Sequence, residues 1–205
     1  MIDFDYAARQ LAGVWKMAWN RPDWTMSLDR SVDGVFRSFW AVALAAPFAL
    51  AEFVSLRRIL SRDRDNPIPQ LVEAPLGYAA AVEAVAYLLG WSAGLAALVM
   101  AARALGASRR AGDAIIGFNW VQVMTAAAQA AMLALAVIAG DSDASILFRL
   151  PIAVFAIALI WGVLRRSLGA GVAATIAVFL MIVVVGGVAR LAIELAAIAV
   201  LHAFA

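Results

Sequence analysis

Long apolar runs separated by short polar breaks dominate the chain. They predict an all-α protein, a polytopic transmembrane helical bundle of five spans with an N-terminal amphipathic helix. The clearest run is Leu76 to Met100, which holds one acid, Glu83. The pattern puts spans at about 35–56, 76–102, 114–139, 146–164 and 172–189. Residues 1–34 read as a cytoplasmic amphipathic arm and 35–205 as the transmembrane domain. The tail 190–205 falls short of the ~20 residues a crossing needs, so a bent continuation or an interfacial helix is expected there.

Within the arm, Phe4, Ala7, Ala8, Leu11, Trp15, Ala18 and Trp19 recur at helical spacing, and Asn20-Arg21-Pro22-Asp23 ends the helix. MIDFD carries acids where a signal peptide would carry bases, so the arm is expected to stay in the cytoplasm. Its apolar stripe suits two uses: an anchor for the membrane surface or a partner, or packing on the protein's own cytoplasmic helix ends. Pro47, mid-way along the first span, is expected to kink it, with a re-entrant hairpin as the alternative. RRILSRDRDNPIPQLVEAP interleaves arginines, aspartates and prolines as an aqueous loop, and GDSDAS reads as a tight acidic turn.

Composition sharpens this picture. The chain is 65% hydrophobic and only 15% charged, with a mean hydropathy of +0.91, whereas soluble domains carry about 25% charged residues. Moderate aromatic content without period-two alternation argues against a porin-like barrel. The absence of cysteine excludes disulfides, thiolate metal sites and cysteine nucleophiles. With the N-terminus inside, the inner segments hold Arg9, Lys16, Arg21, Arg30, Arg37, Arg103, Arg109, Arg110, Arg165 and Arg166. The outer side holds Arg57, Arg58, Arg62, Arg64, Arg149 and Arg190. That bias implies a bacterial inner-membrane protein with a cytoplasmic N-terminus and a periplasmic C-terminus. Trp40, Trp120 and Trp161 fall near the predicted cytoplasmic ends, where indole rings favour the headgroup region.

Candidate chemistry is sparse. Glu83 lies roughly 10 Å below the outer end of its helix at 1.5 Å per residue, and an acid at that depth is costly unless paired, protonated or wetted. Tyr87, Gly90 and Gly94 share its stripe, and the GxxxG pattern of GWSAG marks a helix-packing face. The threading gathers Glu52, Glu83, Gln129, Arg149 and Arg190 in the outer half as an intramembrane polar cluster. Two readings follow: an outward-facing cavity that binds a small polar or anionic ligand or relays a proton, or an ion pair of Glu83 with Arg149 or Arg190 that orders the bundle. Arg190 and Glu194, four residues apart, are also placed to pair with each other. Asn119, Gln122, Thr125 and Gln129 share about a third of the circumference of the third span, as the wall of a hydrophilic path or as interhelical hydrogen-bonding groups. Gly186-Gly187 suits close packing or a hinge.

No catalytic residue, metal site or cofactor is predicted. The single histidine, His202, has no companion ligand, and Ser38 and Ser92 lack an evident base. Dispersed arginines at loop ends disfavour nucleic acid as a partner. The expected partners are membrane lipids and either another membrane protein or further copies of this chain.

RSVDGVFRSFW before a proline-containing span, and IIGFNWVQV at the head of the third, resemble a group of alphaproteobacterial integral membrane proteins of unassigned activity. The five-span layout with a cytoplasmic N-terminus is also similar to Yip1-like proteins. That resemblance implies a role in membrane organisation and trafficking, and carries over no functional residue. The expected function is an accessory or scaffold protein. A small transporter or channel component built around Glu83 is the competing class.

Overall fold

The computed structural model describes residues 3–60, 73–139 and 142–203, with backbone alone for 60, 139 and 142–149. The helices are α1 (Phe4–Ala18), α2 (Trp24–Ser27), α3 (Val32–Ser38), α4 (Trp40–Leu60), α5 (Leu76–Ala104), α6 (Ala111–Ala139), α7 (Ser142–Leu168) and α8 (Val172–Ala203). A 3-10 turn at Ser108–Arg110 joins α5 to α6, and no strand occurs among the described residues. Five stretches are long and apolar enough to cross a membrane: Val32–Ile59, Leu76–Ala104, Ser108–Ile138, Leu150–Leu168 and Val172–Ala203. Arg62, Arg64 and the prolines Pro67 and Pro69 of the first long loop lie outside the described residues.

Local chemistry explains the helix ends near the arm. Asp3 caps α1 by accepting from Tyr6 N at 3.0 Å. Asn20, in the left-handed region at φ 57°, turns the chain out of that helix while Arg21 N donates back to Lys16 O at 2.8 Å. Ser31 caps α3 by accepting from Gly34 N at 2.9 Å. The irregularity in the first span falls at Phe39, between α3 and α4, where Ser38 Oγ donates to Val35 O at 2.6 Å. Pro47 is carried inside α4, so the hairpin alternative does not form.

One other boundary differs from expectation, and the tail takes one of the two forms expected of it. The helix of the fourth span begins at Ser142, inside the expected acidic turn. The last helix runs unbroken from Val172 to Ala203 through Gly186-Gly187, so 190–203 continues the fifth span and forms no separate interfacial helix. Continuous i to i+4 bonding satisfies the backbone polar groups of the apolar tail better than any break would.

Packing order departs from chain order. α5 lies mainly against α8, α4 against α6, and α6 against α7, whereas the consecutive helices α4 and α5 touch only sparsely. Arg57 Nη2 donates to Ala74 O at 2.6 Å, which brings the end of α4 to the approach to α5, so the two run antiparallel.

The fully buried core sits at the arm end, around Val14, Met17, Leu98, Ile116, Trp120 and Leu159. The arm therefore packs on its own bundle. Gly117 and Gly162 make room for it: a side chain at Gly117 would meet Val163 and Met17, and one at Gly162 would meet the Ala18 backbone. The buried face is Tyr6, Ala7, Gln10, Gly13, Val14, Met17 and Ala18. Phe4, Trp15 and Trp19, which the spacing grouped with it, are exposed instead. Ala7, Gly13 and Ala18 fit the close helix contacts beside Val14 and Met17, and the indoles stay on the outward face, with Trp15 against Trp19 (5.6 Å) and Phe155 (6.2 Å). Trp120 is likewise no interfacial anchor, since it is fully buried against Tyr6.

Candidate functional site

Glu83 lies within the membrane-length helix α5, its side chain largely buried. Its Oε2 accepts from Arg190 Nη2 on α8 at 2.7 Å, while Arg190 Nε donates to Glu194 Oε1 at 2.9 Å. One arginine therefore serves two acids, the pair within α8 and the pair between helices at once. The close approach of α5 and α8 makes this possible. A Cβ built on Gly90 lies 3.3 Å from Gly186 O, and one built on Gly94 lies 3.3 Å from Ile182 Cγ2. Gly90 and Gly94 thus lie where α8 comes close to α5, and Gly186 faces Gly90 there. One turn beyond Glu83 toward the helix start, Tyr78 Oη donates to Ala197 O at 2.8 Å and adds a second tie between the same two helices.

Two other members of the expected outer cluster, Glu52 and Gln129, line a different cavity from the one Glu83 lines. Their pocket, of about 300 Å³, is completed by Leu56, Met132, Leu133, Ile152 and Ala153. Glu52 stays within electrostatic reach of Glu83 and Arg190. The backbone of Arg149 belongs to α7, but its side chain lies outside the described residues. The cavity that Glu83 does line, about 410 Å³ between α4 and α5, is otherwise walled by apolar groups and Tyr87. A polar vestibule around Glu83 is therefore not what the described residues form.

The polar stripe of α6 divides in the same way. Asn119 is fully buried and bridges three helices, accepting from Trp91 Nε1 at 3.0 Å and donating to Ser38 Oγ at 2.9 Å. This is interhelical hydrogen bonding. Thr125 bonds within its own helix, donating to Gln122 O at 3.1 Å. Gln122 lines a pocket of about 260 Å³ with Gly90, Trp91, Phe118 and Arg190.

Sequence reasoning missed the arm-end polar links. Arg30 grips Asp113 at the head of α6 with two hydrogen bonds of 2.7 Å, and those bonds favour the charged guanidinium. Asp29 accepts from Ser31 Oγ at 2.6 Å and Tyr6 Oη at 3.2 Å, and its backbone N–H donates to Gln10 Oε1 at 3.2 Å. Hydrogen bonds from Ser31 hold the Asp29 carboxyl below the ordinary carboxylate range. Burial, then the neighbouring Asp29 charge, pushes Tyr6 up to about 12. Asp113 sits within a stretch that reads as a loop-to-span boundary, and only the fold brings Arg30 to it.

No family model, curated protein or solved structure matches this chain. The chemistry of the site is therefore read from its own residues. Among the described residues no group of His, Asp and Glu is placed to hold a metal ion. The chain is a five-span helical bundle whose deep polar groups tie helix to helix.

Proposed function

We propose that this chain is an integral inner-membrane accessory or scaffold protein of bacterial type, with its arm on the cytoplasmic side, that packs with further copies of itself or with a larger membrane complex. The observation that carries the reading is the closure of the deep polar groups on one another: Arg190 on Glu83 and Glu194, Asn119 on Trp91 and Ser38. Residues held this way order a bundle and need no solute to explain them. The surface supports it too. α8 exposes Leu180, Val184, Val188, Leu191 and Leu195, a long apolar face suited to lipid or another helix. The Yip1-like layout points the same way, toward membrane organisation.

The second reading, a small transporter or channel component, draws support from the pocket that Glu52 and Gln129 share. One experiment separates the two. Wild type and Glu83→Gln are purified in mild detergent, cross-linked and analysed for oligomers and co-isolated membrane proteins, and both are reconstituted in vesicles for proton flux. A scaffold keeps its association in Glu83→Gln and shows no flux in either form. Flux in the wild type would overturn the scaffold reading, its loss in Glu83→Gln assigning it to Glu83 and its persistence to the pocket of Glu52 and Gln129.

A further inference from the structure

The turns at the arm end of the bundle carry positive charge that the fold leaves unmatched. The arm's own bases close on acids: Lys16 on Asp23, Arg30 on Asp113 and Arg37 on Asp33. The turns differ. RALGASRR, from Arg103 to Arg110, and RRSLGAG, from Arg165 to Gly171, hold five arginines and no acid. None of the five makes an ion pair among the described residues. A Cβ added at Gly169 would run into the Arg110 guanidinium, so a third arginine lies over the turn that follows Arg165 and Arg166. Like charges gathered without an acid attract an anion.

The neighbouring surface says which anion. Arg166 Nε donates to Asn20 Oδ1 at 2.8 Å, so the end of α1 rests against the end of α7. From that bond a ladder of rings runs down the flank of the bundle. Trp19, next to Asn20 in the chain, stands 5.6 Å from Trp15, and Trp15 stands 6.2 Å from Phe155 of α7. Both indoles are nearly half exposed. Phe155 precedes Arg166 by eleven residues, roughly 16 Å at 1.5 Å per residue. That is about half of a ~30 Å hydrocarbon core. Val154 and Ile157, on the side of α7 that leads to Arg165, are exposed as well. Cations above an apolar flank one leaflet deep match an anionic amphiphile. A free phosphate or an acidic protein segment would use the arginines and make no use of the rings.

We propose that Arg110, Arg165 and Arg166, with Trp19 and Trp15, form a binding site for an anionic phospholipid, its phosphate held by the arginines and one acyl chain lying along the indoles and Phe155. Guanidinium forks suit phosphate oxygens, and indoles favour the headgroup boundary. Among the described residues only the Nε of Arg166 is engaged, which leaves both its Nη groups for the ligand. Such a site suits a scaffold and a transporter alike.

The test uses the full chain in phosphatidylcholine vesicles that hold a few per cent of phosphatidylglycerol with an acyl-chain diazirine, or the same amount of diazirine phosphatidylcholine. After illumination, adducts are mapped by peptide mass spectrometry. The expected result is labelling of 11–19 and 154–161 about fivefold or more stronger with the anionic lipid, and equal labelling by the two lipids at Leu180, Val184 and Leu191 on the outer face of α8. Arg165→Gln/Arg166→Gln should bring the preference below about twofold. Arg103→Gln/Arg109→Gln, which removes the same charge from the same end, should keep it. Both variants must elute as the wild type does. Should loss of the Asn20 bond unsettle the arm, Arg165→Gln alone must lower the preference at least twofold, since that side chain bonds nothing among the described residues. A preference as strong on α8 as beside the arm means annular lipid only and overturns the proposal. An equal fall in Arg103→Gln/Arg109→Gln means diffuse charge and overturns it too. So does displacement of the lipid by millimolar glycerophosphoglycerol, which marks a free-phosphate site, or by hexaglutamate, which marks a site for an acidic protein segment.

Discussion

Gly90 of α5 and Gly186 of α8 meet backbone to backbone: a Cβ built on either lies 3.3 or 3.2 Å from the other's carbonyl oxygen. Contact this close between helices distant in sequence sets the separation at which Arg190 reaches Glu83.

Enlarging either glycine therefore acts on the fold first. We predict that Gly90→Ala costs about 1 kcal/mol and Gly186→Leu about 3 kcal/mol, through overpacking. The midpoint of dodecyl-sulfate unfolding in mixed micelles reads this directly. Both glycines face inward, so a partner lost without a shift in that midpoint would contradict the packing assigned to them.

Breaking the Glu83–Arg190 link should be asymmetric. Arg190→Met leaves Glu83 and Glu194 without the cation that serves both, and we expect a loss of about 2 kcal/mol or more. Glu83→Met/Arg190→Met should recover part of it, because the carboxylate that α5 presents to α8 is gone and only Glu194 is left without its cation. A double variant less stable than Arg190→Met alone would show that the pair is not coupled as drawn.

Asn119 offers a cleaner measure of polar ties. Asn119→Leu removes two interhelical bonds of about 0.6 kcal/mol each and orphans the Trp91 indole N–H, a further ~1 kcal/mol or more. Ser38→Ala removes the second bond and the local bond to Val35 O but leaves the Trp91 indole paired, and should cost less. Equal losses in the same unfolding assay would mean that the Trp91 bond contributes nothing.

The arm contact should depend on pH from both sides. The Asp29 carboxyl is held low in the folded state. Its contribution is therefore full above the unfolded value near ~4 and falls away as pH drops through the folded one. Tyr6 is raised to about 12, so its contribution is full below ~10 and is lost as pH climbs through the folded value. A spin label placed by Met26→Cys, at an exposed position in a chain without native cysteine, reports the arm's mobility. We predict loosening below about pH 4 and above about pH 10. Asp29→Asn should abolish the acid limb and weaken the alkaline one, since the Asp29 charge adds to burial in raising Tyr6, whereas Tyr6→Phe should abolish the alkaline limb and keep most of the acid one, which rests mainly on Ser31.

The link between Arg30 and Asp113 should hold α3 to α6. We predict that Asp113→Asn accelerates tryptic cleavage at Arg30 several-fold while leaving the global unfolding midpoint nearly unchanged, since Arg30 is half-exposed. Cleavage at the wild-type rate would show that the bridge contributes nothing to anchoring that turn.

The sequence by itself determined the class and the spans, because a run of some twenty apolar residues can satisfy its backbone in a membrane only as a helix. It also marked Glu83, Gly90, Gly94 and Asn119, since an acid, a small-residue pair or an amide inside such a run is too costly to be incidental. It left the partners open. Spacing along one helix says which residues share a face, and nothing about which helix that face meets. The tertiary structure chose Arg190 for Glu83, Gly186 for Gly90, and both Trp91 and Ser38 for Asn119. It turned Tyr6, Val14, Met17 and Ala18 of the arm inward and Trp15 and Trp19 outward, a choice made by the glycines of α6 and α7 that an amphipathic pattern in α1 does not see. It also set α4 against α6 in place of its sequence neighbour α5, and that displacement opens the crevice beside Tyr87.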